Sequence, residues 1–443
     1  MLNKFLLRSA VTGALGGLLF GFDTAVIAGT TSSLSGRFHL TAFQLGFTVS
    51  IALWGTVLGA ISAGAVGQRL GSRATLRILA ILYALSALGC AFAWEWKVLL
   101  IARLIGGLGI GGSSVLGPVY ITELAPPEYR GRLVGLFQIN IVVGIMTAYL
   151  SNFIISSFQL GAHEWRWQFG VAALPALLFF LMLFAVPHSP RWLATKGQMD
   201  EALQSMHMLG VPDPDAELKT IVESIHVGTS AKEEQLFLWR YRTPILLTLG
   251  IAAFNQLSGI NAVMYYANDI FAYAGFNRVS GGLQAVVVGA VNLVFTLVAM
   301  ALIDKLGRRA LLLIGSACMT LALSGIAVTF ATRRGRETLI YFVAGFIAFF
   351  ALSSGSVIWV YISEIFPTRI RMKGQALGST VMWVFNGIIA QAFPVLAARS
   401  TLLPFIFFAA AMAVQFVTVL LFFPETKGLA LEQLQQKLRL NEA

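Results

Sequence analysis

The chain has 443 residues, of which 57% are hydrophobic and 12% are charged, and its formal net charge is +11. A charged fraction about half that of a typical soluble domain excludes a water-soluble globular protein. Long apolar runs also exclude a β-barrel, whose strands give short alternating segments. The composition therefore predicts an all-α polytopic membrane protein, and the positive charge fits loops beside a membrane better than nucleic-acid binding.

Apolar runs long enough to cross a bilayer core of about 30 Å follow one another along the whole chain. Twelve spans are predicted, at residues 9–29, 43–66, 75–94, 97–120, 132–155, 167–187, 244–270, 281–303, 310–331, 338–362, 374–396 and 401–423. A polar stretch between the sixth and seventh spans is expected to form short amphipathic helices. We therefore expect a six-helix bundle (1–187), a cytoplasmic linker (188–243), a second six-helix bundle (244–423) and a cytoplasmic tail (424–443).

The orientation follows from the loops, because most of the 31 lysine and arginine residues fall on the side of the N-terminus. The positive-inside rule then places both termini in the cytoplasm. We expect the protein to lie in the inner cell membrane. One basic loop, 332–337, falls on the opposite side. The first apolar run is too long for a cleavable signal peptide. Cys90 and Cys318 lie in apolar runs and are expected to be buried thiols.

The first span contains a carboxylate, Asp23, in the stretch "GGLLFGFDTAVIAG". From Ser9, at 1.5 Å per residue, Asp23 lies about 21 Å from the inner face and about 9 Å below the outer one. Arg103, in the antiparallel fourth span, reaches the same depth. We expect the two to pair, so that Asp23 is ionised while paired and takes up a proton when the pair weakens. The alternative is a static structural ion pair.

Equivalent charged loops recur in the two halves. "ELAPPEYRGR" (123–132) follows the fourth span and "EIFPTRIRMKG" (364–374) follows the tenth. "GQRLGSR" (67–73) follows the second span and "DKLGRR" (304–309) follows the eighth. Two parallel six-span repeats are typical of transporters that move two bundles about a central site.

The charged residues at the cytoplasmic ends of the spans are expected to form ion pairs between the halves, which close the inner side and break when it opens. The alternative is that they only set the topology. We call this set the cytoplasmic gate, and it consists of Arg69, Arg73, Glu123, Arg130, Arg191, Arg308, Arg309, Glu364 and Arg371.

The seventh span carries polar side chains in "NQLSGINAVMYYA" (255–267). Amides both donate and accept hydrogen bonds, as the hydroxyl groups of a polar ligand require, without the desolvation cost of a charge. Asn261 and Tyr265 share one helical face, and Gln256 lies one turn earlier. Ser258 and Gly259 can break the helix between them. The alternative for any single amide is helix–helix packing.

Together with "PHSPRWL" (187–193) and "PETKG" (424–428), these motifs make the chain resemble a sugar porter of the major facilitator superfamily over essentially its whole length. The resemblance implies a monosaccharide as substrate, a proton as partner at Asp23 and Arg103, and no covalent chemistry, cofactor or metal. We expect a monomer in the lipid bilayer that binds no nucleic acid. The sugar site predicted by residues and resemblance together contains Phe20, Gln138, Asn255, Gln256, Asn261, Tyr265, Asn292, Trp359 and Asn386.

The sequence departs from the family pattern in both halves. Gln68 stands where the family usually has an acidic residue or asparagine, and Ser72 stands where it usually has an arginine. His188 replaces a glutamate. The first half of the gate is therefore expected to be weaker, or to titrate through His188. Asn255 replaces a glutamine at the sugar site, and Ser356 replaces a proline that affects the bend of the tenth span.

The sequence admits four functional interpretations. The leading interpretation is a proton-coupled sugar symporter. A uniporter on the same fold is the alternative, although uniporters of this family tend to carry a neutral residue at the position of Asp23. A transporter-like sugar sensor is disfavoured because sensors usually have long cytoplasmic tails. An enzyme is disfavoured because no nucleophile–histidine or metal-ligand cluster lies in the spans.

Overall fold

The computed structural model describes residues 3–126, 129–228, 235–332, 334–367 and 370–427. Every regular element in these ranges is a helix, so the all-α prediction is confirmed.

The predicted tail, 424–443, is described only as far as residue 427. Gly428 of the "PETKG" motif therefore lies outside the described residues.

Eleven α-helices cover the described part of the first half and the linker. They are α1 (Lys4–Val26), α2 (Thr31–Phe38), α3 (Ala42–Leu70), α4 (Ser72–Ala91), α5 (Trp96–Leu124), α6 (Arg130–Ser157), α7 (Glu164–Gly170), α8 (Ala173–Met182), α9 (Pro190–Thr195), α10 (Met199–Leu209) and α11 (Pro214–Gly228).

Nine α-helices cover the described part of the second half. They are α12 (Arg242–Leu257), α13 (Ile260–Tyr265), α14 (Ala267–Tyr273), α15 (Arg278–Leu306), α16 (Arg308–Thr332), α17 (Leu339–Leu352), α18 (Ser354–Ile365), α19 (Arg371–Arg399) and α20 (Leu403–Phe422).

Within the described residues, twelve helical segments are long and apolar enough to cross a membrane, as predicted. The first begins at Lys4 and not at residue 9, because the Asn3 side chain caps the helix by accepting a hydrogen bond from Phe5 N–H at 2.9 Å. The sixth was predicted at 167–187 but runs from Gly161 to Met182. It ends early because the Leu183 carbonyl accepts side-chain hydrogen bonds that satisfy the end of α8.

The chain divides into two compact units. The first comprises residues 1–30, 51–155 and 159–232, and the second comprises residues 31–50, 156–158 and 233–443. Residues 31–50, which the sequence analysis grouped with the first bundle, thus pack within the second unit.

In the first unit, α5 packs against α1 and α4, and α4 packs against α8. Gly107 and Gly111 of α5 face the backbone carbonyls of Ala52 and Thr56 in α3, so closely that a Cβ at either glycine would collide with them. Glycines of this kind let membrane helices approach each other and pack without an aqueous hydrophobic effect.

In the second unit, α16 packs against α17 and α20, and α12 packs against α19. Its apolar core contains Tyr361 and Phe366, both fully buried. These contacts hold the polar segment of the seventh span in place.

Candidate functional site

The first unit contains the predicted charge pair. Arg103 on α5 places Nη2 3.9 Å from Oδ2 of Asp23 on α1, and the Arg103 side chain is 3% exposed while that of Asp23 is 20% exposed. The guanidinium also lies over the ring of Phe169, 5.7 Å from its centroid. The distance is at the outer limit of a direct ion pair, so the two charges attract each other without a tight hydrogen bond.

A cavity lies beside Asp23 and is lined by Tyr83, Ser86 and Cys90 among other residues. The Tyr83 hydroxyl and Ser113 Oγ share a hydrogen bond of 2.9 Å. These polar neighbours were missed in the sequence, because isolated hydroxyls inside apolar spans are common and carry no spacing signal. The cavity therefore places the carboxylate of Asp23 beside a small, mostly apolar space that carries a few hydroxyl and thiol groups.

In the second unit, the seventh span is broken where the sequence predicted. α12 ends at Leu257 and α13 begins at Ile260, with Gly259 between them in the left-handed region at φ 81°. The Ser258 hydroxyl donates to the carbonyl of Asn255 at 2.6 Å and accepts from the N–H of Ile260 at 3.3 Å. The break leaves the side chains on both sides of it free to turn toward each other.

A chain of amides crosses this break. Asn261 Nδ2 donates to Gln256 Oε1 at 2.8 Å, and Gln256 Nε2 donates to Asn255 Oδ1 at 2.8 Å. Asn255 Nδ2 in turn donates to the Ser354 carbonyl at 3.1 Å. Each amide is oriented by its neighbour and retains further hydrogen-bonding capacity. Thus three of the predicted sugar-site residues form one polar chain.

A second pair of predicted residues, distant in sequence, meets in the same unit. Asn386 Nδ2 on α19 donates to the Tyr265 hydroxyl at 3.0 Å, and both side chains are buried. The Asn386 Oδ1 atom is buried and has no hydrogen-bond partner among the described residues. A buried amide oxygen without a partner can accept a hydrogen bond from the hydroxyl group of a ligand.

The other predicted sugar-site residues are placed but not joined to this chain by the described hydrogen bonds. Asn292 on α15 is 7% exposed, and Trp359 on α18 packs beside the apolar core of the second unit. Phe20 and Gln138 belong to the first unit, where Phe20 packs beside the apolar core. Their participation in one sugar site stays a prediction.

The tenth span is broken at Ser353, between α17 and α18. Ser356, where the family pattern has proline, donates its N–H to the Ser353 carbonyl at 3.1 Å and its hydroxyl to the Ala351 carbonyl at 2.7 Å. A proline could not make the first of these bonds. The bend therefore lies before Ser356 and is stabilised by serine hydrogen bonds.

Two polar residues of the second unit escaped the sequence analysis. Gln415 on α20 donates to Ser354 Oγ at 3.3 Å and is 1% exposed. Asp269 on α14 carries a buried carboxylate oxygen and accepts a hydrogen bond from Thr31. The signal for Gln415, an amide inside an apolar span, was present in the sequence. Asp269 was overlooked because it lies at the very end of a predicted span.

The first-unit residues of the cytoplasmic gate contact their own unit. Glu123 accepts hydrogen bonds from Ser72 Oγ at 3.1 Å and from Ser189. Arg73 Nε donates to the Leu183 carbonyl at 3.1 Å. Arg130 Nη2 lies 3.5 Å from the Ala125 carbonyl.

His188 stacks on Trp192 with ring centroids 5.6 Å apart. Burial first, and then the positive charges of Arg73 and Arg77, lower the pKa of His188 to about 4. The lowered pKa favours an uncharged imidazole at neutral pH, so any titration of the gate through His188 is expected only at acid pH.

The second-unit gate residues form a tighter arrangement. Arg308 Nη2 donates to Glu364 Oε1 at 2.9 Å, and the Thr426 hydroxyl donates to Glu364 Oε2 at 2.6 Å. Glu425 of the "PETKG" motif accepts the backbone N–H groups of Arg308 at 2.9 Å and Arg309 at 3.0 Å. A carboxylate at the N-terminus of α16 satisfies its free N–H groups and its dipole.

Burial tends to raise the pKa of Glu425, but four backbone hydrogen bonds outweigh it and hold that pKa below its usual value. Glu425 was not singled out in the sequence, although its motif was noted. Of the remaining gate residues, Arg69 and Arg191 are exposed and Arg371 is partly buried. Pairing across the two halves stays a prediction.

Comparison with known proteins decides the family. A family model described as "Sugar (and other) transporter" matches residues 9–438. The chain belongs to this sugar transporter family. The predicted resemblance and the major facilitator fold are therefore confirmed, and the protein is a multi-pass membrane protein of a transporter family.

Similar proteins cover almost the full length of this sugar transporter. The arabinose-proton symporter of Bacillus subtilis (strain 168) is 37% identical over an alignment of 440 positions that covers 98% of this chain and 95% of that protein. The D-xylose-proton symporter of Escherichia coli (strain K12) is 32% identical over an alignment of 471 positions, gaps included, that covers 98% of this chain and 96% of that protein. The inward open conformation of the xylose transporter XylE from E. coli superposes with a TM-score of 0.86 at 31% identity, covering 98% of this chain and 100% of that structure.

Proposed function

We propose that this sugar transporter imports a monosaccharide, a pentose or a hexose, together with a proton by alternating access. The observation that carries the proposal is the pair of Asp23 and Arg103, 3.9 Å apart inside the first unit of a sugar transporter. Relatives named as arabinose-proton and xylose-proton symporters support it.

Proton coupling follows from the chemistry of this pair. While Asp23 is ionised, its attraction for Arg103 holds α1 against α5. A proton that neutralises Asp23 removes that attraction, and the neutral carboxyl is less costly to move through an apolar environment. Arg103 keeps its place over Phe169, so the release affects α1 more than α5. Loss of the proton on the other side restores the pair and resets the carrier.

Sugar binding is assigned to the amides of the second unit. Gln256, Asn261 and Asn386 are each fixed by a hydrogen bond of 2.8 to 3.0 Å to a neighbouring side chain. Fixed amides with spare donors and acceptors bind hydroxyls without first losing side-chain freedom. The indole of Trp359 would stack on the apolar face of the sugar ring, and Asn292 would offer a further amide from the same unit.

The cytoplasmic gate is proposed to open and close the inner side. What supports it is a charged cluster within the second unit, the Arg308–Glu364 pair reinforced by Thr426 and by Glu425 at the start of α16. The ion pairs between the halves remain part of the proposal. We also propose that the protein is a monomer in the inner cell membrane with both termini in the cytoplasm. The bias of lysine and arginine toward the loops on that side supports this topology.

Uptake of radiolabelled arabinose, xylose, galactose and glucose into proteoliposomes, with and without an inward pH gradient, tests the proposal. We expect at least one of these sugars to accumulate above its external concentration only when the gradient is present. A carrier that equilibrates sugar but ignores the gradient would be a uniporter. Absence of any sugar flux or binding would remove the transporter assignment for this substrate class.

A further inference from the structure

Two arginines of the first unit share one acceptor. Arg73 and Arg77 lie one helical turn apart on α4, and both guanidinium groups donate to the Leu183 carbonyl, at 3.1 Å from Arg73 Nε and 3.0 Å from Arg77 Nη2. That carbonyl ends α8, so the contact caps a helix. A single neutral oxygen does not balance two positive charges.

No carboxylate pairs with Arg73 or Arg77 within the described part of the chain. Their titratable neighbours are Tyr120, whose hydroxyl donates to the Pro187 carbonyl at 2.8 Å, and His188, which is uncharged. Glu123 is committed to Ser72 and Ser189. The arginine pair therefore carries an excess of positive charge.

Two further nitrogen atoms beside the pair are unsatisfied. Arg77 Nε and His188 Nδ1 are buried and have no hydrogen-bond partner among the described residues. Buried polar atoms usually have a partner, so the unpaired Nε–H donor of Arg77 marks a place that an external acceptor completes. The two guanidinium groups therefore form a cationic, donor-rich site.

The surroundings of the site are apolar and exposed. The Arg77 guanidinium lies over the ring of Phe184, 4.0 Å from its centroid, and Phe184 is 55% exposed. Ile78 and Ile81 on α4 and Leu181 on α8 are also exposed by 43% to 56%. On membrane helices, exposed apolar side chains of this kind face lipid chains.

The depth also fits a headgroup. α4 begins at Ser72, and Arg77 lies about 8 Å further along the helix at 1.5 Å per residue. This places both guanidinium groups within the first two turns of a membrane span, at the boundary between headgroups and acyl chains.

We propose that Arg73 and Arg77 bind the phosphate of an anionic phospholipid, whose acyl chains lie along Phe184 and the exposed faces of α4 and α8. The phosphate oxygens accept from the two guanidinium groups, a strong charge-assisted contact. The lipid supplies the negative charge that this chain lacks at position 188. This site is separate from the sugar amides and does not depend on the proposed substrate.

Lipid binding to the delipidated, full-length protein in detergent tests the proposal by native mass spectrometry. The probes are dioleoyl-phosphatidylglycerol, dioleoyl-phosphatidylcholine and inorganic phosphate. We expect phosphatidylglycerol to bind the wild type more tightly than phosphatidylcholine, and Arg77→Gln to weaken that binding at least about tenfold. Lys219→Ala removes an exposed positive charge of the linker and is the matched control, which we expect to bind as the wild type does.

A second variant keeps the test independent of folding defects. His188→Glu leaves both arginines in place but provides an internal carboxylate, so we expect it too to lose the preference for phosphatidylglycerol. Wild-type lipid binding in both Arg77→Gln and His188→Glu would overturn the proposal. Inorganic phosphate that displaces phosphatidylglycerol at equal concentration would show a site for soluble anions and would also overturn it.

Discussion

At the scale of single residues, the amide chain across the seventh span makes the sharpest prediction. Asn261→Ala removes the donor to Gln256 Oε1 and the group that would meet a sugar hydroxyl. We expect sugar binding to weaken by about 1–3 kcal/mol, the usual cost of leaving such groups unpaired. Calorimetry on the purified protein measures this directly.

The matched control is Asn140→Ala, in which the lost amide bonds only to the Leu136 carbonyl of its own helix. We expect this control to keep wild-type affinity. If Asn261→Ala also bound sugar with unchanged affinity, the sugar would have to lie elsewhere.

His188 gives a prediction about pH. The pKa of His188 is lowered from 6.5 to about 4, so the neutral side chain contributes to the free energy of unfolding. This contribution is fully present above pH 6.5 and is lost as the pH falls from 6.5 toward 4. We therefore expect His188→Gln to leave the pH profile of sugar exchange unchanged between about pH 5.5 and 8 in phosphatidylcholine liposomes. A titration near pH 6.5 in the wild type that disappears in the variant would contradict this.

Some residue positions could be read from the sequence and others could not. Asp23 and Arg103 were predicted to lie at one depth, since helix rise and topology fix that depth, and the structure brings them together. Glu425 could not be placed, because its partners at the start of α16 lie more than a hundred residues earlier in the chain. Contacts of that range depend on tertiary packing.

At the scale of elements, the break in the seventh span depends on one glycine. Gly259 has φ 81°, where a side chain is strained, and a Cβ there would collide with the ring of Phe408. We expect Gly259→Ala to destabilise the protein by at least about 1–2 kcal/mol and to weaken sugar binding, because the amide chain crosses this break. Thermal unfolding and calorimetry measure the two effects.

Gly64→Ala is the matched control for that substitution. Gly64 lies on α3, and a Cβ there meets no other atom within 4 Å. We expect no loss of stability or of sugar binding in the control. A Gly259→Ala protein as stable as the wild type would show that the break tolerates a side chain.

The gate makes a prediction at the same scale. Glu364→Gln removes the negative charge that pairs with Arg308, whose side chain is 10% exposed. It also weakens the hydrogen bond that the Thr426 hydroxyl donates to residue 364. If these contacts stabilise the closed inner side, the variant shifts the population toward the inward-open state. Faster labelling of an introduced cysteine from the cytoplasmic side would show this shift.

Glu217→Gln, on an exposed face of α11, removes the same charge away from the gate and is expected to leave labelling unchanged. Equal labelling rates in Glu364→Gln and the wild type would reduce the gate residues to topology signals.

Some helix breaks could be predicted from the sequence and others could not. The helix break at Ser258 and Gly259 was readable, because glycine after serine is a strong local signal. The break at Ser353 was not, since it depends on serine hydroxyls bonding to backbone carbonyls of the preceding turn. The early end of the sixth span likewise depends on arginines from α4.

At the scale of the whole molecule, hydropathy alone predicted the twelve spans, because a bilayer requires continuous apolar helices of nearly fixed length. The division into compact units could not be predicted in the same way. Residues 31–50 belong to the predicted first bundle in sequence, yet they pack within the second unit. Such packing is set by side-chain contacts that hydropathy does not encode.

The central claim is that Asp23 couples sugar movement to a proton, and one measurement tests it most directly. Proteoliposomes carrying wild type, Asp23→Asn or the exposed control Asp200→Asn are given a labelled sugar and only an inward pH gradient. We predict that wild type and Asp200→Asn concentrate the sugar, while Asp23→Asn binds and exchanges it without concentrating it. The amide mimics a permanently protonated carboxyl, and the sugar amides of the second unit are untouched. Uphill accumulation by Asp23→Asn would contradict the account.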